Sequence, residues 1–332
     1  MMRCFCLGLL TGLAVALVST GPAGAQTLYV DEQFGFAQTT GVVFASKPVG
    51  SPATNMDLQL ELFQPEGAGV PTSRAAIILI HGGGFTGGSR FNSRLIDMCE
   101  GMARRGYTCV SIDYRLQGDD PVIGAPYVPI ETAVAASGDS RATAIAAAAE
   151  DGWAAYEWMV ANAAGLGVDV DRIGVGGSSA GAVTSLMLAY VLDKVGIAPA
   201  NAFGAVFDMW GTLGDAPTTL VSGDAPLLIA HGENDTTVPV SGAYALEARA
   251  IAVGLTHEIH VVEGAGHGFN IFTQVVAPGQ TMFDRFVDFF YQHVANSGTP
   301  AVPALGLRAQ MLLLGLLLVL GVTLLGLRRS AR

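Results

Sequence analysis

The chain has 332 residues with 17 basic and 28 acidic side chains, a formal charge of −11 and a hydrophobic share of 51%. All the acidic residues fall between two apolar ends, with only twelve basic ones among them, so that body carries −16 before histidine is counted. Such a surface repels phosphate backbones and anionic headgroups, which argues against a nucleic-acid partner. No C-x-x-C or clustered His/Cys spacing points to a metal, and no cofactor is expected.

The first 25 residues read as a secretory signal. Arg3 gives a basic start, residues 7–18 are apolar, and Ala23-Gly24-Ala25 fits a small-x-small cleavage site before Gln26. Cys4 and Cys6 leave with it, so the mature chain keeps Cys99 and Cys109. These flank the end of a predicted helix and the strand after it. Two states stay open for them, a bridge formed in an oxidising compartment or a pair of buried thiols.

Between residues 26 and 295, strand and helix signals alternate. Strands are expected over 41–46 and 56–63, the second closing at Pro65, and over 75–80, a continuous apolar run suited to burial on both faces. A helix over 92–105 and a strand over 108–113 follow. Residues 117–137, with Pro121, Pro126 and Pro129, read as a long irregular loop. The Ala-rich stretch 142–162 reads as a helix, 172–176 as a strand and 180–193 as a helix. Strands at 202–209, 226–230 and 256–262 then alternate with helices at 241–253 and 282–295. Such alternation predicts a mainly parallel, doubly wound sheet, whose ligands bind at the carboxyl ends of the strands.

Four motifs stand at those ends: His81-Gly82-Gly83-Gly84-Phe85, Gly177-Ser178-Ser179-Ala180-Gly181, His231-Gly232-Glu233-Asn234-Asp235 and Gly264-Ala265-Gly266-His267-Gly268-Phe269. In a G-x-S-x-G turn the serine stands on a sharp strand-to-helix bend, making Ser179 the candidate nucleophile. Gly176 and Ala180 do not complete the same pattern around Ser178. His267 is the candidate general base, chosen over His81, His231, His257, His260 and His293 because it lies in the Gly-rich loop after the last strand. Asp235, 32 residues before it, is the candidate acid, with Glu233 as the alternative. Backbone N–H groups of Gly83, Gly84 and Ala180 are the candidate oxyanion donors. The three glycines lack the Lys-Ser/Thr of a phosphate-binding P-loop and the spacing of a dinucleotide fingerprint.

At the C-terminal end, residues 296–310 read as a linker. Residues 311–327 form an uncharged apolar run, followed by Arg328, Arg329 and Arg332. A helix of that length rises about 25 Å, near the minimum for spanning a bilayer, and the arginines favour a cytoplasmic C-terminus. The expectation is an exported body, periplasmic or at the cell surface, tethered to the membrane by residues 311–332. This tail also resembles bacterial C-terminal sorting signals processed by exosortase-type enzymes. Val302-Pro303-Ala304-Leu305-Gly306 is similar to the variant opening with Ile/Val-Pro-Thr-Leu, apart from its third position, which implies a sorting protease as a partner.

From residue 56 to residue 294 the body resembles the α/β-hydrolase esterase/lipase group with an HGGG oxyanion loop, the hormone-sensitive-lipase-like carboxylesterases. Asp171-Arg172-Ile173 leads into the serine turn as such enzymes often have it. The resemblance implies a mostly parallel sheet of about eight strands with antiparallel strands at its N-terminal end. It also implies Ser179, Asp235 and His267 as a triad, an oxyanion hole at Gly83, Gly84 and Ala180, and a small-molecule or polymer-borne ester as substrate. Little chain separates the strands on either side of residue 210, so only a minimal cap is expected, with residues 26–52 and 117–137 left to line an acyl pocket. Two other readings are peptidase or other acyl-transfer chemistry on the same residues and an inactive hydrolase-like surface binding module.

Overall fold

The computed structural model describes residues 26–214 and 217–296. The predicted signal segment, the apolar tail and all but the start of the linker lie outside the described residues. Among the described residues no helix is long and apolar enough to cross a membrane.

The first two strands, β1 (Gly35–Val49) and β2 (Thr54–Glu66), form a long antiparallel hairpin with two irregularities in register. Then come β3 (Arg74–Ile80), α1 (Ser93–Arg104), β4 (Thr108–Ile112), α2 (Val128–Ala136), α3 (Ala142–Leu166), β5 (Val168–Ser178) and α4 (Ala180–Tyr190). The chain continues through β6 (Val206–Met209), β7 (Leu227–Gly232), α5 (Ser241–Val253) and β8 (His257–Val262) to a short hairpin, β9 (Val275–Ala277) with β10 (Gln280–Thr281), and α6 (Met282–Phe290). Eight strands make one sheet in the order β1-β2-β4-β3-β5-β6-β7-β8. β2 meets both β1 and β4 antiparallel, and every pair from β4 to β8 is parallel.

The all-apolar run in β3 is needed because both faces of the sheet are covered. Ala76, Ile78 and Ile80 join a core shared with α3, α4 and α5, while Ile77 and Leu79 join a second core with α1 and α6. The small residues of α3 allow close approach: a Cβ at Gly152 would lie 3.0 Å from Leu188 and 3.5 Å from Ile80. Of the two states open for the cysteines, the disulfide is the one present. It ties Cys99 of α1 to Cys109 of β4 across a Cα separation of 5.1 Å.

The eight-stranded, mostly parallel sheet matches the expectation, with differences at the edges. Part of the predicted loop over 117–137 is helix α2, preceded by a short 3₁₀ turn at residues 125–127. Prolines suggest a loop when counted by composition. Here Pro126 and Pro129 sit in the first turns of these elements, where no N–H is required. Helix α3 runs on to Leu166 and ends at Gly167 in a left-handed conformation (φ 63°). The β9–β10 hairpin carries no strong alternation and was not expected. Among the described residues, the chain between β6 and β7 contains no helix, in keeping with a minimal cap.

One buried cation fixes the antiparallel side of the sheet. The Arg115 side chain, fully enclosed just past β4, donates to both carboxylate oxygens of Asp151 and to Glu150 at 2.7 Å. Its remaining donors reach the carbonyls of Pro48 and Val122, and Lys47 also contacts Glu150 at 3.1 Å. Breaking such a cluster leaves buried carboxylates uncompensated. Arg115→Met should therefore lower unfolding free energy by about 3–5 kcal/mol, measured by urea denaturation at neutral pH. A loss below about 1 kcal/mol would refute the role given to this cluster.

Candidate active site

The end of β5 turns into α4 at Ser179, which adopts φ 54° and ψ −118°. A non-glycine residue rarely tolerates such a backbone unless its surroundings impose it. Here they do. The Ser179 N–H donates to the Met209 carbonyl of β6 at 2.8 Å, and α4 begins at the next residue. The two flanking glycines leave the turn room against β3. A Cβ at Gly181 would lie 2.0 Å from the Ile80 carbonyl oxygen, and one at Gly177 would lie 2.4 Å from the Gly181 backbone.

The glycine-rich loop after β3 runs alongside this turn. A Cβ at Gly82 would stand 2.8 Å from Ser178 O and 3.2 Å from Ser179 Cβ, so the loop passes in contact with the serine. Gly83 (φ 125°) and Gly84 (φ 62°) take left-handed conformations, and the Gly83 carbonyl accepts the N–H groups of Thr86 and Gly87. Arg141 donates to the Gly84 carbonyl at 3.2 Å, and the Gln117 N–H donates to that of Phe85 at 2.8 Å. Among the described residues the N–H groups of Gly83, Gly84 and Ala180 donate to no protein acceptor. His81 is buried, stacks on Tyr114 with ring centroids 4.3 Å apart, and donates from Nδ1 to the Gly82 carbonyl at 2.7 Å. Burial holds its imidazole below the usual pKa, so it stays a neutral brace for the loop.

The ends of β7 and β8 bring the remaining two groups in. Gly232 lets the histidine loop pass over β7, since a Cβ there would lie 2.2 Å from Gly266 O. The Asn234 N–H bonds Ala265 O at 2.8 Å, and the Glu233 carboxylate accepts the Gly264 N–H at 3.0 Å. Glu233, the alternative acid, thus fastens the loop. Asp235 instead reaches the imidazole: its Oδ2 lies 2.7 Å from His267 Nδ1, and His267 Nε2 lies 2.9 Å from Ser179 Oγ. The other oxygen, Oδ1, accepts the N–H groups of Thr237 and Val238. Burial raises the pKa of this carboxyl, but the bonds from His267, Val238 and Thr237 outweigh it and keep the group below its ordinary value, ionised at neutral pH.

All three side chains named from the sequence therefore meet at one rim of the sheet, beside the three named N–H groups. A family profile described as alpha/beta hydrolase fold (Abhydrolase_3) matches residues 142–206, and a second, BD-FAE, matches residues 60–135. The chain has the α/β-hydrolase fold. An AB hydrolase superfamily protein of Schizosaccharomyces pombe is 30% identical over 142 residues, which are 42% of this chain and 33% of that protein. The chain thus spans about a third of the length of the curated relative it matches. Similar solved structures include Thermogutta terrifontis esterase 2 phosphorylated by paraoxon, 24% identical with a TM-score of 0.56, covering 78% of this chain and 94% of that one. They also include MGS-M1, an α/β-hydrolase enzyme from a Medee basin deep-sea metagenome library, 15% identical with a TM-score of 0.55, covering 79% and 99%. At these identities the likeness is one of fold.

This α/β-hydrolase fold carries, near the serine, one acidic group that the sequence motifs do not include. Asp208 of β6 is fully buried, and its Oδ1 accepts the Gly211 N–H at 2.6 Å. Its Oδ2 meets no protein partner. Its neighbour Met209 receives the Ser179 N–H. Only a lone acid inside an apolar strand hinted at it. Burial pushes this carboxyl up to about 7, against the pull of the Gly211 bond. The folded protein then binds the proton more tightly than the unfolded chain, so this group's contribution to stability falls as pH rises from about 4 to about 7. Asp208→Asn, which mimics the protonated form, should gain on the wild type by a few kcal/mol between pH 5 and pH 8 in urea unfolding. Parallel stability profiles for the two proteins would exclude a raised Asp208.

Proposed function

We propose that the protein is a serine esterase that hydrolyses carboxylic esters through an acyl-enzyme on Ser179. The hydrogen-bonded chain Ser179–His267–Asp235 carries this reading, with spacings of 2.9 and 2.7 Å. With Nδ1 donating to Asp235, the neutral imidazole presents a bare Nε2 to the serine hydroxyl. Ser179 Oγ attacks the acyl carbonyl as His267 Nε2 takes its proton. The carbonyl oxygen becomes an oxyanion facing the uncommitted N–H groups of Gly83, Gly84 and Ala180, with the positive end of α4 behind it. Collapse expels the alcohol, which leaves with the proton returned by His267. Water, activated by the same imidazole, then attacks the acyl-Ser179 ester and releases the acid.

Short acyl groups suit the site best. Among the described residues no helical cap stands between β6 and β7. The fold is shared with Thermogutta terrifontis esterase 2, which has been solved propionate-bound and butyrate-bound. The Cys99–Cys109 bridge supports work in an oxidising compartment, in line with the export signal read over residues 1–25.

Hydrolysis of p-nitrophenyl butyrate should fall on the order of 10⁶-fold in Ser179→Ala and about 10⁴-fold in Asp235→Asn, with thermal stability retained. Paraoxon should add one diethylphosphoryl group to Ser179, seen by peptide mass spectrometry. A folded wild type inert to a panel of short-chain esters and unlabelled by paraoxon would overturn the reading.

A further inference from the structure

His231 opens the turn that carries Asp235, and its imidazole is fully buried. Its Nε2 lies 2.8 Å from the Val238 carbonyl oxygen and 3.3 Å from Asp235 Oδ2. Both neighbours are acceptors, so Nε2 carries the proton. Nδ1 meets no protein partner. An imidazole is thus a poor filler for this space, since a phenyl ring would occupy it without leaving a polar nitrogen unmatched. The useful part of the residue is its single N–H.

That N–H closes a ring. Val238 receives the His231 proton through its carbonyl and gives its own N–H to Asp235 Oδ1 at 2.9 Å. Oδ2 of the same carboxylate lies between two histidines, His267 Nδ1 at 2.7 Å and His231 Nε2 at 3.3 Å. Few other ionisable groups bear on it. Asp208 of β6 shares the sheet face of His231. Glu258 and His260 of β8 alternate onto the other face, where Glu258 pairs with Arg285 of α6. Tyr244, Glu247 and Arg249 of α5 lie off that helix's buried stripe of Ala243, Leu246 and Ala250.

We propose that His231 is a positioning residue for the proposed reaction, acting through its Nε2–H to hold the 235–238 turn and aim the Asp235 carboxylate at His267. The inference rests on the triad reading above, and it predicts an effect that passes entirely through Asp235. His231→Phe keeps the volume and loses the donor. His231→Gln restores an N–H at similar reach.

The test is a double-mutant cycle on p-nitrophenyl butyrate. His231→Phe should lower kcat about tenfold with KM within twofold and no fall in melting temperature. His231→Gln should recover most of the loss. In an Asp235→Asn background, His231→Phe should cost less than twofold more. In parallel, the Nδ1–H proton resonance of His267 should move upfield or broaden in His231→Phe and return in His231→Gln. That signal needs no turnover, so it reads the positioning role even if the esterase reading fails, whereas an inert wild type with an intact response would sink only the latter. An unmoved resonance, or the same tenfold loss in both backgrounds, would overturn the role assigned to His231.

Discussion

Ser179 stands at φ 54° and ψ −118°, a conformation that the chain does not adopt without being held. Three neighbouring strands hold it. β5 delivers it, β6 takes its N–H through Met209, and the end of β3 packs against Gly177 and Gly181 with no space for a side chain. Helix α4 anchors the far side, because its first residues are buried in the core and cannot shift to relax the turn. The strain lifts one hydroxyl above the carboxyl edge of the sheet. Every other feature of the site is placed with respect to that point.

On the opposite side, the site depends on two strand ends touching. β7 and β8 are paired in parallel up to Gly232 and Val262, and their outgoing loops remain bonded to each other through Glu233, Asn234 and Gly264. Asp235 and His267 therefore stand on loops that are bonded to each other. Gly232 permits this, since any larger residue would push the histidine loop off its backbone contact. Asp235 is further fixed by two N–H groups on the oxygen that does not face the imidazole. A carboxylate held at both oxygens has little freedom to rotate away, and that is what sets the imidazole tautomer.

Much of this was legible in the sequence because the motifs encode backbone requirements. Gly177, Gly181 and Gly232 mark close approaches, and close approaches occur where loops must converge. Of the two acids that the chain order Ser, acid, His allows, Asp235 is the one whose carboxylate lies against His267, and Glu233 bonds the Gly264 N–H. Helix α2 escaped notice because prolines at the first turn of a helix resemble prolines in a loop until the rest of the turn is known. His231 and Asp208 escaped for another reason. Their significance lies in partners brought by β6 and the 235–238 turn, and a single strand's pattern of apolar residues does not reveal what its occasional polar member faces. The Ala-rich helix α3 reaches past residue 162 to Leu166 because its stop is the left-handed Gly167, which apolar periodicity does not mark.

The charged clusters of the antiparallel side complete the picture. Fully buried Glu61 of β2 accepts the Arg90 side chain at 2.9 Å together with Gln38, Thr40 and the Gly41 N–H. Arg90 also pairs with Asp113 and follows the glycine loop by only a few residues, so the exit of that loop is tied to β2 and β4. Arg115 does the same for the excursion between β4 and α3, from which Gln117 and Arg141 reach the carbonyls of Phe85 and Gly84. Buried ion pairs add little net stability over apolar packing, but they admit few alternative geometries. A loop that leaves the N–H groups of Gly83 and Gly84 uncommitted has few backbone bonds of its own, those of Thr86 and Gly87 to the Gly83 carbonyl. Holding it from outside, through its carbonyls and through the arginine that follows it, leaves those donors free beside Ser179.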